Sequence, residues 1–395
     1  MALIPTAEAQ ARMFALKEAL PVETVPLLDA RGRYAAGDIL SKRTQPALDL
    51  SAMDGYAIRF AERPGPWTVA GESAAGGGLG RALAPGEAAR IFTGAPVPEG
   101  ADSILIQEEA GRDGDSLTMT GEGPPRIGAH IRRKGSDFAE GDILIPAGAP
   151  IGAAAIALAA SGGHGALPVR RRPRVAILST GNELVPAGEP TTGALLPASN
   201  GPMLAALLAG TPAQVTDHGI IRDDLGLISA AFADLAGGAD IIVTTGGASV
   251  GDHDLVLPAL EQAGATIDFW KVRMKPGKPV MIGTLGGAIV LGLPGNPVSA
   301  FVTATLFLKP LIAHLLGSAR PVPPPAAARL GEALPATGGR AEYLRGKWSR
   351  GLAVPTASQD SAGLAALVEA ELLIVRESDS PALEAGADVE IIPLA

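Results

Sequence analysis

Residues 241–254 read Ile241-Ile242-Val243-Thr244-Thr245-Gly246-Gly247-Ala248-Ser249-Val250-Gly251-Asp252-His253-Asp254. A run of β-branched residues predicts a buried strand, and the small residues after it predict a tight loop at the strand's carboxyl end. Gly246 and Gly251 have the G-x-x-x-x-G spacing of a phosphate loop, but Asp252 stands where a nucleotide-hydrolysing loop carries Lys. Backbone N–H groups of such a loop close on an anion, and the carboxylates that follow are hard oxygen ligands suited to Mg²⁺.

Outward from that stretch, strand and helix patterns alternate. Val175–Leu178 reads as a strand, Pro202–Leu208 as a helix, Ala213–Ile221 as a strand and Leu225–Leu235 as a helix. Asp254–Gln262 reads as a helix, Thr266–Met274 and Ala288–Leu291 as strands, and Val298–Leu316 as a long apolar helix. This alternation predicts a parallel sheet with helices on both faces, in which ligands sit beyond the carboxyl ends of the strands. Ser179-Thr180-Gly181, Thr245-Gly246-Gly247 and Leu293-Pro294-Gly295-Asn296 then share one rim. Upstream, residues 6–20 have a helical apolar period, and Gly and Pro punctuate short apolar runs such as Glu87–Phe92 and Ser103–Gln107, a β-rich unit. Downstream, Pro321–Pro325 reads as a linker. Glu342–Leu344, Leu372–Val375 and Val389–Ile392 read as strands of a small β-barrel or sandwich.

The 395 residues exceed one hydrophobic core, and a 47% hydrophobic, 18% charged composition describes a folded protein. A net charge of −9 excludes a general nucleic-acid binder, and no basic run is longer than Arg170-Arg171-Arg172. With no Cys there is no disulfide, thiolate metal site or cysteine nucleophile. The N-terminus lacks the pattern of a signal peptide, and Ile151–Ala160 is too short to span a membrane, so no membrane partner and a cytoplasmic location are expected.

Each rim loop carries a different reagent. Glu183, after Ser179-Thr180-Gly181-Asn182, and Asp254 lie beyond strand ends facing one crevice, and two acids without basic neighbours there bind a cation. Asp223 and Asp224 precede a helix, where capping is the favoured local reading. Lys271, Arg273 and Lys275 alternate with Val272 and Met274, which places three cations on one face of an extended strand. Lys278 follows across Pro276-Gly277, and the two prolines flanking it favour a stiff oxyanion site over a solvated face. Asn296 is placed as N-cap and Pro297 as first helical residue, at a helix end that attracts anions. In the N-terminal half, Asp49–Tyr56, Ile91–Pro98 and Arg132–Asp137 each read locally as turns. His164, His218 and His253 lack a second His at metal-ligand spacing and read as structural or solvent-facing.

Taken in order, Ser51–Ala57, Thr93–Pro98, Arg132–Asp137, Ser179–Leu184, Gly219–Asp224, Gly246–Gly251, Lys275–Pro279 and Leu293–Ser299 resemble the molybdopterin molybdenumtransferases, the family of MoeA and the gephyrin E domain. The resemblance implies a multidomain α/β chain. A MogA-like doubly wound α/β domain (172–318) accompanies an elongated mixed N-terminal domain with dimer contacts (1–44 and 132–171), a β-rich inserted domain (45–131) and a small C-terminal β-barrel (319–395). It implies an enzyme that takes adenylylated molybdopterin and molybdate, inserts the metal and releases AMP with Mg²⁺ or a similar divalent cation. It further implies a homodimer whose cleft joins two subunits, with molybdopterin adenylyltransferase and molybdoenzyme chaperones as partners.

By motif position the resemblance assigns catalytic roles to Asp54, Thr93, Asp137, Glu183, Asp223, Asp254, Lys271 and Lys275, with Glu183 and Asp254 at the metal. It assigns substrate contacts to Ser179, Thr180, Gly181, Gly246, Gly247, Ser249, Gly251, Lys278, Pro294, Gly295, Asn296, Arg345 and Ser361. The chain departs from the family at Ala198-Ser199-Asn200 and at Ala365 and Ala366, where hydroxyls are usual. Two alternatives stand beside this reading: adenylylation of molybdopterin by ATP, and a non-catalytic scaffold of the gephyrin type.

Overall fold

The computed structural model of the chain describes residues 3–246 and 254–394, with Phe269 and Trp270 described in backbone only. Its centre is a six-stranded sheet of β1 (Arg174–Thr180), β2 (Gln214–Ile221), β3 (Ile241–Thr245), β4 (Thr266–Lys271), β5 (Pro279–Leu285) and β6 (Ala288–Leu293), in the order β2-β1-β3-β6-β5-β4. Side chains alternate across a strand, and each strand feeds two cores. Val175 and Ile177 pack with Leu204 and Leu208 of helix α1 (Asn200–Leu208) and with the long helix α4 (Pro297–Leu315). Ala176 and Leu178 pack on the other face with Ile228 and Phe232 of α2 (Leu225–Ala236) and Ala259 and Leu260 of α3 (Val256–Gln262). Each fully buried Ile, Leu or Phe contributes roughly 1.5–3 kcal/mol, so the strands are held from both sides.

The sheet is not wholly parallel. β2, β1, β3 and β6 are parallel, but β5 runs antiparallel to both β6 and β4. The reason is the two-residue connection Gly286-Gly287 between β5 and β6, a hairpin turn that reverses the chain; a parallel pair needs a long crossover. The strand expected over Thr266–Met274 also divides. β4 stops at Lys271, and Met274–Lys275 pairs instead with Ala341 and Glu342 of the C-terminal sheet. Val272 and Met274 are fully buried and the Val272 N–H closes on the Lys278 carbonyl, which turns the chain out of the first sheet.

Helix α4 explains how the N-terminal helix Thr6–Ala15 is anchored. Pro310 has no N–H to give to the carbonyl four residues back, and the helix widens into a π-turn over Ala304–Leu308. The orphaned Leu306 carbonyl accepts from the side-chain amide of buried Gln10, at 2.7 Å. By length and mean hydropathy, 1.6, α4 could cross a membrane, but 78% of it is buried within the fold, as a core helix is.

The C-terminal strands are β7 (Ala326–Arg329), β8 (Ala341–Ser349), β9 (Leu352–Pro355), β10 (Leu372–Arg376) and β11 (Asp388–Pro393). They pair as β9-β8-β10-β11-β7, and a bridge from Leu330 to Ala353 closes the ring into the expected small barrel. Ala341, Tyr343 and Leu373 continue the core beneath α4, so barrel and central sheet share packing. In the N-terminal part, Val22–Pro26 pairs with Ala166–Arg170, Ile39–Leu40 with Ile143–Ile145 and Leu50–Ser51 with Ile131–Arg132. Between these flanking pairs lies a second six-stranded sheet, which includes Gly55–Ile58, Glu87–Ile91 and Ser103–Ile106.

Candidate active-site cleft

The carboxyl ends of β1, β3 and β6 open into a cleft of about 720 Å³, lined by Ser179, Thr180 and Glu183, by Thr245 and Gly246, and by Pro294, Gly295 and Asn296, with Ala362 and Leu364 arriving from the barrel. The volume is that of a small-molecule site. The Ser179 and Thr245 hydroxyls lie 3.1 Å apart and tie the two strand ends. Gly246 has φ +91°, and a Cβ there would lie 2.7 Å from the Thr180 carbonyl, so only glycine lets β3 turn this close to β1. A Cβ on Gly181 would lie 2.6 Å from the Glu183 carboxylate, which is therefore folded back over the strand end. That carboxylate is exposed and takes no hydrogen bond from the described residues. Gly247, Ser249 and Gly251, with Asp252 and His253, lie outside the described residues.

The two neighbouring aspartates separate in role. Asp224 caps α2, accepting from the Leu227 N–H at 2.9 Å, as expected of a helix start. Asp223 does not cap. It accepts from the Asn182 N–H at 3.0 Å, and its own N–H goes to the Asn182 side chain at 3.1 Å, which fixes the loop carrying Glu183. Asp254 accepts from the Val256 N–H at 3.1 Å, just before α3.

Asn296 occupies the N-cap position of α4 with Pro297 following, but its side chain makes no cap hydrogen bond. It donates instead to the Ser361 hydroxyl at 3.1 Å, while the Val298 N–H goes to the Ser361 carbonyl. Asn200, at the start of α1, donates to the Gly295 carbonyl at 2.7 Å and completes this side of the cleft. Behind Ser361, Arg345 is 2% exposed and donates to the Asp360 carbonyl at 3.2 Å. Burial draws the Arg345 guanidinium below its ordinary range, and the nearby Asp360 charge opposes that. Its buried Nε has no hydrogen-bond partner among the described residues, so one donor is held in reserve beside the barrel loop.

The lysines do not form one strand face. Lys271 ends β4, Lys275 lies in the separate pair with β8, and Lys278 begins the return into β5. Lys275 donates to Glu342 at 3.1 Å, a half-exposed pair that an arriving oxyanion can compete for. Glu342 was not legible as a site residue, because its partner lies 67 positions away in the chain.

Asp54 and Thr93 meet in the N-terminal sheet. Asp54 accepts from the Thr93 N–H at 2.7 Å and from its hydroxyl at 2.9 Å. The backbone bond first, then the hydroxyl, hold the Asp54 carboxyl below its ordinary range, and the Arg90 charge adds to them. Sequence reading passed over Arg90, whose guanidinium covers the Phe92 and Tyr56 rings and donates to the Gly55 carbonyl and the Gln107 side chain. The signal was present in Arg90-Ile91-Phe92-Thr93, where alternation puts Arg90 and Phe92 on one face. The Asp137 N–H goes to the Gln45 carbonyl. No hydrogen bond or ion pair among the described residues joins Asp54, Thr93 or Asp137 to the cleft. His164 is structural, bonded to the Leu40 carbonyl at 2.7 Å. Among the described residues no three His, Asp or Glu side chains form a ready metal cage.

Comparison with known proteins covers nearly all of the chain. Residues 4–163 match the MoeA N-terminal region (domain I and II), residues 176–314 a probable molybdopterin binding domain, and residues 327–394 the MoeA C-terminal region (domain IV). The chain is 36% identical over 383 residues to the molybdopterin molybdenumtransferase of Haemophilus influenzae, covering 94% of this chain and 93% of that protein. It is 38% identical over 308 residues to that of a Nostoc species, covering 75% and 70%. The crystal structure of the molybdopterin biosynthesis MoeA protein from Pyrococcus horikoshii superposes with a TM-score of 0.85 at 26% identity, over 99% of each chain.

Proposed function

This chain belongs to the molybdopterin molybdenumtransferase family, and from that premise we propose how its own residues carry the transfer. It is a transferase of molybdenum cofactor biosynthesis that inserts molybdenum from molybdate into adenylylated molybdopterin and releases AMP. One observation carries the reading: a single cleft collects Ser179, Thr180, Glu183, Gly246, Pro294, Gly295 and Asn296 from three strand ends. Full-length likeness to transferases favours this over adenylylation or a scaffold role.

The nucleotide-pterin lies along this rim, its phosphates against the turn at Gly246 and the start of α4, where backbone N–H groups favour anions. Lys275 and Lys278, with Arg345 and Ser361 from the barrel side, hold molybdate beside the dithiolene, and Lys271 adds charge at the end of β4. Their part is positioning. Mg²⁺ fits the donor set on this rim: it binds through one or two carboxylates plus substrate phosphates, and the Glu183 carboxylate borders the cleft with no hydrogen bond from the described residues. Glu183 and Asp254 would hold it, and bound there it supplies charge stabilisation as the phosphoanhydride breaks. Asp223 keeps the Glu183 loop in place through Asn182.

Asp54, Thr93 and Asp137 enter by assembly. A homodimer that sets the N-terminal sheet of one copy over the rim of its partner brings the ionised Asp54 to the cleft, which the single chain does not do.

Purified protein supplied with adenylylated molybdopterin, molybdate and Mg²⁺ should release AMP; release no greater than that of Glu183→Gln overturns the reading. The shared site has its own test. Asp54→Asn and Glu183→Gln, each inactive alone, should recover on mixing roughly a quarter of the wild-type sites by random pairing. No recovery places both residues in one subunit's site.

A further inference from the structure

The cleft lies at one end of β1, and a second cavity lies at the other. It measures about 560 Å³ and is lined by Arg33, Arg171, Arg172 and Arg174, with Glu23 and Asp29 as its acids. β1 runs seven residues from Arg174 to Thr180, and at ~3.3 Å per residue the two sites stand about 20 Å apart. They share no lining residue.

We propose that this cavity binds a tetrahedral dianion, free molybdate or a phosphoryl group. Four guanidinium groups face two carboxylates there, in a chain whose net charge is −9, so the cationic surplus is local. Arg33 is 2% exposed and fixed by Glu23 and the Arg170 carbonyl, and a fixed fork loses little freedom on capturing an anion. Arg171 is held by two hydrogen bonds to Asp240, at 2.7 and 2.6 Å. The same Asp240 takes the Arg174 N–H at 2.9 Å and has the Lys17 ammonium at 3.5 Å. Asp240 therefore accounts for Arg171, but the Arg172 side chain has no hydrogen bond or ion pair to an acid among the described residues, and Arg174 is half-exposed with its nearest carboxylate oxygen at 3.5 Å. Buried Pro173 sits between those two arginines and fixes the path that presents both. Planar forks with open N–H groups, backed by fixed ones, match the oxygen edges of a phosphate-like ion.

The test is calorimetric titration of the full chain with inorganic phosphate, with molybdate and with AMP, in wild type, in the double variant Arg172→Gln/Arg174→Gln and in Lys275→Ala. Saturable binding should weaken by roughly tenfold or more in the double variant. Phosphate binding at the arginine cavity should be unchanged in Lys275→Ala, whereas molybdate held in the cleft should weaken there, and AMP release by the double variant should match wild type. Molybdate binding that the double variant loses, with no such binding of phosphate or AMP, identifies free oxyanion as the occupant, and AMP binding as tight as phosphate that the double variant likewise loses identifies a phosphoryl group. Equal affinity in wild type and double variant overturns the proposal, as does loss of all binding in Lys275→Ala or absence of saturation in the millimolar range. The single variant Arg172→Gln, which changes only an exposed side chain, should shift affinity in the same direction. The readout is binding, so it can fail while AMP release stands, and the reverse.

Discussion

At its amino end β1 begins beside Asp240, a carboxylate 2% exposed that is bonded by Arg171 and the Arg174 N–H and has Lys17 at 3.5 Å. At its carboxyl end, six residues on, the Ser179 hydroxyl meets that of Thr245, and the Glu183 carboxylate takes no hydrogen bond from the described residues. Both ends carry charge. The amino end spends its acid on holding three segments together, whereas the carboxyl end leaves its acid available to a ligand. A buried charge without partners costs several kcal/mol, so an acid of the first kind must be saturated, and one of the second kind must stay near water.

Neutralising the available acid should produce the largest effect. Glu183→Gln keeps the size of the side chain but removes the charge, and turnover of adenylylated molybdopterin should fall by about 10²–10³-fold, the range for loss of one electrostatic contact in a transition state. The melting temperature should stay within about 1 °C of wild type, because the group is exposed and bonds to no other described residue. A large drop in melting temperature would break the contrast, since it would make Glu183 structural.

The opposite outcome is expected at Asp240. Burial works to raise this carboxyl, but the Arg171 hydrogen bonds and the Arg174 N–H outweigh it and hold the group at about 2, against an ordinary 3.8. A lowered carboxyl stabilises the fold at pH values above its ordinary range, and that stabilisation, ~2 kcal/mol, is lost as pH falls from about 4 toward 2. Asp240→Asn should therefore lower the melting temperature at pH 7 by roughly 5 °C with AMP release intact. The gap between wild type and variant should close as melts are repeated down to pH about 2; a gap that stays constant with pH would mean that packing, not charge, sets the effect.

Gln10 sharpens the contrast away from charge. Gln10→Leu removes the donor to the Leu306 carbonyl and leaves that group buried and unpaired beneath Pro310. The expected cost is about 1–3 kcal/mol in denaturant melts, with no change in turnover. A neutral result would show that the π-turn satisfies its own carbonyl.

Much of the central sheet was legible because both cores draw on continuous apolar runs, and Val175–Leu178 and Ile241–Val243 have no other good reading. The rim was legible for the same reason: a strand that ends in Ser-Thr-Gly or Thr-Gly-Gly marks where the apolar core stops. β5 escaped because Pro279 opens it and Gly283 interrupts it, although Gly286-Gly287 between two apolar runs was a hairpin signal. The lysine face failed because alternation was carried across a chain reversal that only the burial of Val272 and Met274 enforces. Contacts such as Asn296 with Ser361, Lys275 with Glu342 and Gln10 with Leu306 join residues 65, 67 and 296 positions apart. No local pattern encodes them.

The smallest expected effect falls on Asp223 and Asp224, adjacent residues whose roles local statistics cannot separate. Asp224 accepts from the Leu227 N–H and serves α2, so Asp224→Ala should cost about 1 kcal/mol of stability and leave AMP release unchanged. Asp223 faces the other way, locked with Asn182 beside Glu183, and Asp223→Ala should act on the reaction through that loop. Because it positions Glu183, its loss should reduce kcat and raise the Mg²⁺ concentration needed for half-maximal AMP release, with a smaller change in melting temperature than Asp224→Ala gives. If the two variants exchange these signatures, the boundary between the structural and the ligand-facing acids runs between them in the reverse sense, and Asp224 rather than Asp223 belongs to the cleft.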